Sequence, residues 1–180
     1  MRLTYNSPCQ RLQELLDQAG IPNSSDASRG FDHGTFVPMM LAYPQANIPA
    51  VQLSLKKNLD PSQHLAIGRA LQPLRDEGVF VIGSGLTYHN VRAMMQRSGA
   101  AEAAEEFSDW LVTAVVGNGE EQRGKALEHW IKAPSARVCH PREDHLLPLM
   151  VAAGAAGADA GALSFDGKHM GVRCLSFLFG

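Results

Sequence analysis

Apolar positions recur along this chain with two different spacings. After Pro8, Leu12, Leu15, Leu16 and Ala19 fall three or four apart and Gly20 follows, which predicts a helix over residues 8–19 that stops at the glycine. The same spacing predicts short helices over 35–43, 90–96 and 125–133. It predicts a longer helix over 100–116, with Phe107, Trp110 and Leu111 on one face. Pro61 opens a further long helix carrying Leu65, Leu71 and Leu74, which Pro73 kinks or ends early. Residues 143–156 (EDHLLPLMVAAGAA) read as a buried helix that tolerates Pro148. Two continuous apolar runs differ from all of these. Residues 48–55 (IPAVQLSL) and 79–82 (VFVI) read as buried strands, the second broken by Gly83-Ser84-Gly85. Residues 161–165 and 172–179 read as closing strands or a hairpin, and 22–30 (PNSSDASRG) as a loop. Strands alternating with helices predict an α/β fold, layered α/β/α around a central, mostly parallel sheet, with residues 1–180 as one domain.

Composition narrows the function more than the fold. With 180 residues, 45% apolar and 19% charged, the chain has the balance of a globular domain with its own core. Sixteen Lys and Arg against eighteen Asp and Glu leave a net charge of −2, so there is no basic footprint for nucleic acid. No apolar run reaches the roughly 18 residues of a membrane span, and the opening MRLTYNSPCQRLQELLDQ is too polar for a secretory leader. Three cysteines, Cys9, Cys139 and Cys174, lack metal-type spacing and point to a reducing cytoplasm.

Chemistry rests on the seven histidines. His64 at a polar helix start, His129 in a charged segment and His169 in the turn DGKHMG are read as surface residues. His33, His89 and His145 stand at element boundaries. His33 opens a helix with Asp32 as its cap or orienting carboxylate. His89 follows the strand and loop of 79–85, where open α/β sheets place ligands. His145 begins an otherwise apolar helix. Taken singly, each is more often structural than catalytic. Ser84 with His89 has the residue types of a nucleophile and base, but GSGLT lacks the flanks of a nucleophile elbow. No Lys or Arg completes a phosphate loop at Gly83–Gly85. His140 and His145, five apart with Pro141 between, do not share a helical face.

Three stretches occur in order: GFDHGTFVPMMLAYPQANIPAVQLSL, LRDEGVFVIGSGLTYHN and PREDHLLPLMVAAGAA. Together they resemble the class III extradiol ring-cleavage dioxygenases, in particular the extradiol DOPA dioxygenase type related to the catalytic B subunit of protocatechuate dioxygenases. The resemblance runs from about Tyr5 to the C-terminal strand. It implies a mononuclear non-haem Fe(II) centre, often zinc in isolated proteins, that opens catechols with O₂. By motif, His145 matches a metal ligand. His89 matches a histidine at or beside the metal that serves as acid and base. His33 matches the histidine that contacts substrate or bound oxygen. Two further metal-binding histidines of the family, in GHGSP-like and SAHW-like stretches, have no counterpart here. The chain resembles the C-terminal two-thirds of the family's fold, truncated at its N-terminus.

The resemblance also implies a division of labour. Fe(II) keeps positions open for a catechol and O₂. His89 takes a hydroxyl proton near neutrality and returns it, and His33 donates to developing negative charge. With one family ligand of three in place, the chain alone is expected to bind iron weakly and to have little activity. An uncovered sheet edge is expected to drive self-association. A non-catalytic binding or interaction protein on the same fold is the alternative, and a Ser84–His89 hydrolase a distant third.

Overall fold

The computed structural model describes residues 8–96 and 99–180, and the opening MRLTYNS stretch, read above as part of a polar N-terminus, lies outside them. Helix α1 (Pro8–Gln18) buries Leu15 and Leu16. They join Ile67, Leu71 and Leu74 in a small satellite core. Helix α3 (Pro61–Leu71) starts where Asp60 accepts hydrogen bonds from the Ser62 and Gln63 amides, with Pro61 supplying a preset φ and no orphan N–H. The long helix expected here divides. Pro73 cannot donate to a continuing ladder, and α4 (Pro73–Asp76) begins on it.

Most of the apolar core lies further along the chain. Helices α5 (Val91–Gln96), α6 (Ala100–Val115) and α7 (Glu120–Glu128) are followed by a 3₁₀ turn (Trp130–Lys132), α8 (Ala136–Cys139) and α9 (Leu147–Ala156). Phe107, Leu111, Val115, Leu127, Trp130, Leu147 and Met150 are buried in one cluster. Strands β1 (Gly161–His169) and β2 (Val172–Phe179) form an antiparallel hairpin with a register shift between Leu163 and Phe165. Its Val172, Cys174 and Leu175 pack on the same cluster. Helix α7 starts before the expected residue 125, since Glu120 and Glu121 favour a helix N-terminus. Helix α9 starts later than the expected residue 143. Pro148 occupies its first turn, so Glu143–Leu146 form the turn that leads in.

Helices α3 and α9 cross at two glycines. A Cβ on Gly68 would collide with the Val151 carbonyl, and one on Gly154 with that of Leu65. The missing side chains let the two backbones touch. Arg123, buried on α7, donates to the carbonyls of Gly157 and Asp159 and lies over the Phe179 ring at 5.1 Å. One side chain thus ties α7, the end of α9 and β2 together.

Two expectations are corrected. Residues 48–55 and 79–82 are not buried strands: among the described residues neither run pairs with another strand. Ile48, Val51, Leu53, Val79, Phe80 and Ile82 are exposed. Phe80 to Gly85 make no backbone–backbone hydrogen bond among the described residues, although Val79 donates to Leu74 and Leu86 to His145. The apolar composition of these runs is real, but among the described residues no backbone carbonyl takes up their amides apart from that of Val79. The fold is α/β with a two-stranded antiparallel sheet. A cleft of about 770 Å³ separates the 79–86 run from β2, floored by α9 and reaching His145 at one end. Among the described residues, no helix is long and apolar enough to cross a membrane.

Candidate metal centre

His89 and His145 meet although fifty-odd residues separate them. Their rings stack with centroids 3.4 Å apart and planes inclined by 14°. Backbone contacts bring them there. The Leu86 amide donates to the His145 carbonyl, and the His89 amide to the Cys139 carbonyl, both at 3.0 Å. Asn90 Nδ2 donates to the Val138 carbonyl at 2.7 Å, while its Oδ1 accepts from the Ala93 amide and starts α5. Gly83 and Gly85 allow the approach: a Cβ on either would collide with the carbonyl of Pro148 or His145. The Gly-Ser-Gly break in the sequence is therefore a packing device, and Ser84, exposed on that loop, has no hydrogen bond to His89.

Asp144 completes the cluster. Its Oδ1 accepts from the His145 amide and from His145 Nδ1, each at 3.1 Å. A carboxylate only accepts, so Nδ1 carries the proton and Nε2 keeps its lone pair. Desolvation works to raise the Asp144 pKa, but the hydrogen bonds from His145 and the charges of His145 and Arg142 outweigh it, and the carboxyl sits below its ordinary range. His89 is shifted down, first by desolvation and then by the charges of His145 and His33, with Asp144 opposing. One potential ligand atom from each of His89, Asp144 and His145 lies within 4.8 Å of the others.

Two imidazoles and a carboxylate are the donor types of non-haem iron centres, and their spacing fits one ion. The parallel ring planes mean that one imidazole rotates before both lone pairs aim at the same point. His33 takes a different position. It heads α2 (His33–Ala42), is exposed, and is near enough for its charge to act on His89. Asp32 occupies the N-cap position of that helix, but its side chain neither caps it nor hydrogen-bonds His33. Its carboxylate accepts from Gln52 Nε2, while its own amide and the Thr35 hydroxyl donate to Gln52 Oε1.

Asp144 was missing from the residues selected by sequence, although a carboxylate beside a candidate ligand in Glu143-Asp144-His145 was a usable signal. His64 corrects a second reading. It is buried, with Nδ1–H donating to the Asp60 carbonyl and Nε2 accepting from the Lys56 amide. It locks the entry to α3. His140 is fully buried as well. His129 and His169 are exposed, as expected.

Residues 9–175 match the family described as the catalytic LigB subunit of aromatic ring-opening dioxygenase. The chain is 43% identical over 184 residues to a 4,5-DOPA dioxygenase extradiol of Beta vulgaris, covering 96% of this chain and 68% of that protein. It is 37% identical to the protein of the same name in Mirabilis jalapa, covering 87% of this chain and 60% of the relative. With the one from Escherichia coli it shares 32% identity, over 90% and 60% of the two chains. It therefore spans 60–68% of the length of these relatives. The crystal structure of an uncharacterized protein from Escherichia coli K12 superposes with a TM-score of 0.80 at 29% identity, over 97% of this chain and 75% of that one.

Proposed function

The chain belongs to the family of the catalytic LigB subunit of aromatic ring-opening dioxygenases, the class III extradiol proteins, and from that premise we propose that its His89–Asp144–His145 cluster is the centre for extradiol cleavage of a catechol such as DOPA. The observation that carries this reading is the stack of His89 and His145 with a carboxylate bonded to the second ring. When bound, Fe(II) supplies the Lewis acidity that acidifies a catechol hydroxyl and the redox capacity that opening the ring with O₂ requires; zinc in its place retains only the former. His145 offers Nε2 to the ion, because Asp144 holds the proton on Nδ1. His89, whose pKa desolvation lowers, stands beside it with a single ring lone pair, which either would serve the ion as second ligand or would accept a catechol proton, not both at once. His33, on the exposed start of α2, donates to the substrate from the solvent side.

Two imidazoles and one carboxylate already engaged with one of them hold an ion loosely. Activity of this chain alone is accordingly expected to be low. We also infer that the family's layering extends to a central, mostly parallel sheet within one domain. Residues 48–55 and 79–82 have strand composition, and a further strand in the 770 Å³ cleft would give the backbone of 80–85 its missing partners. The test is anaerobic Fe(II) loading followed by O₂ uptake with DOPA or protocatechuate. Catechol-dependent uptake that His145→Ala abolishes supports ring cleavage. Fe(II) and catechol binding without uptake turns the reading toward a non-catalytic binding protein, and no Fe(II) binding removes the centre.

A further inference from the structure

Beneath the two stacked rings lies a third imidazole to which the proposed chemistry assigns no part. His140 is wholly buried, packed against Phe107 with ring centroids 5.3 Å apart and against Trp130 at 5.9 Å. Its Nε2 lies 3.0 Å from the Thr87 carbonyl. A carbonyl only accepts, so Nε2 carries the proton and donates it. Its Nδ1 is buried with no hydrogen-bond partner among the described residues. Desolvation pushes the pKa of the ring down to about 4, so it is neutral wherever the protein is near neutral pH.

An imidazole in this place costs stability, because one nitrogen is stripped of water and given nothing in return. An apolar side chain would fill the pocket without that cost. What the imidazole alone contributes is the bond to Thr87. That bond belongs to a row of contacts between 86–90 and 138–145: His140 to Thr87, His89 to Cys139, Asn90 to Val138, Leu86 to His145. From the other side, Thr87 Oγ1 accepts from the Leu175 amide, which fastens the same residue to β2. Only the His140 bond in the row runs from a side chain on the 138–145 side. It fixes the peptide two positions before His89, and so the direction in which the His89 ring leaves the backbone.

We propose that His140 is a positioning residue for the metal centre, holding the Thr87 carbonyl so that the His89 ring stays against His145. The proposal rests on the reading of His89 and His145 as ligands. Removing the bond leaves the core nearly as full as before but lets the 87–89 backbone relax, and the ligand pair opens.

The experiment titrates the full chain, His140→Leu and His140→Gln with Co(II) alone, read by visible absorption. It also records the ring proton resonances of His89 and His145 by NMR without metal. Glutamine can present an N–H where His140 Nε2 stands; leucine cannot. The leucine variant is expected to bind Co(II) about 10–100-fold more weakly, as loss of an outer-shell partner does. It should also lose the mutual ring-current shifts of the stacked pair, and glutamine should recover most of both. Unchanged affinity and unchanged shifts in His140→Leu overturn the proposal. A loss that glutamine does not recover assigns the effect to ring packing and overturns it too. If the parent chain takes up no Co(II), the metal-centre reading fails, and the metal-free resonances alone decide whether His140 positions the pair. If His140→Leu does not fold, His140→Asn, too short to reach Thr87, is compared with glutamine: weaker binding supports the bond, equal binding overturns it.

Discussion

Two regions of this molecule are built to opposite specifications. From residue 100 onward, a continuous set of apolar side chains faces inward: Phe107, Leu111, Val115, Leu127, Leu147 and Met150 are fully buried, and the hairpin closes over them. In residues 31–53 and 79–82, on either side of the buried face of α3, most side chains of the same kinds face outward. Helix α2 is apolar yet buries none of its residues, with Leu41 82% exposed and Met40 66%. Phe80 is 71% exposed, and residues 80–85 make no backbone–backbone hydrogen bond among the described residues. The composition of the two regions is similar, so burial here depends on available neighbours and not on hydrophobicity alone. An exposed apolar patch of this kind favours association with other apolar surfaces. The candidate centre lies where the two regions meet: His145 enters from the packed region, His89 from the boundary, and His33 from the uncovered one.

The sharpest way to break this contrast is a pair of truncations. Phe107→Ala should cost about 3–5 kcal/mol in urea unfolding, the usual range for a buried aromatic. Phe80→Ala should stay within about 0.5 kcal/mol, as surface changes do. Comparable losses would mean that the 79–82 run is covered in solution. Acid is the next lever, and it acts on the packed region through His140. Its folded pKa, about 4, lies below the ordinary value of 6.5. Titration of the ring therefore takes nothing from stability above pH 6.5, and stability falls as the pH drops from 6.5 toward 4, where the unfolded chain takes up a proton that the native one refuses. The shift corresponds to about 3 kcal/mol. His140→Leu should flatten that part of a stability-against-pH curve, and an equally steep curve would place the acid sensitivity elsewhere.

Asp144→Asn sharpens the comparison at the boundary. It should weaken Co(II) or Zn(II) binding by about 10–100-fold, since the carboxylate that orients His145 is gone, while thermal unfolding barely moves. A variant that melts early but binds normally would make Asp144 a structural residue. The smallest effect on folding and the most visible on behaviour belongs to the uncovered region. Phe80→Ser with Met40→Ser should leave stability within about 0.5 kcal/mol. It should reduce self-association in size-exclusion chromatography with light scattering, and a parent chain that is monodisperse and monomeric at high concentration would show that this face is tolerated bare.

Helix positions were readable from sequence wherever amphipathic spacing met a clear stop signal, as at Gly20 after α1. The pairing of β1 with β2 was readable from two apolar runs around a Gly171 turn. The runs at 48–55 and 79–82 misled because a strand is a relation between two backbones, and a sequence shows only one of them. Proline position decided two boundaries that periodicity blurred, at Pro73 and Pro148. At the centre, the motifs singled out His89 and His145, and the structure stacks them. Asp144 was overlooked because a lone carboxylate in a charged tripeptide resembles surface solvation. His64 was misjudged because whether an imidazole is buried depends on segments that close over it from elsewhere in the chain.

The stitching of 86–90 to 138–145 also sets an order of events. Thr87 and His140 are 53 positions apart in the chain, and closing a loop of that size is an entropic cost met only when the helices between them have docked. On a ribosome, the first imidazole of the pair emerges long before its companion exists. The paired rings therefore rest on a long-range closure, which by its loop entropy slows folding relative to helices held by local contacts.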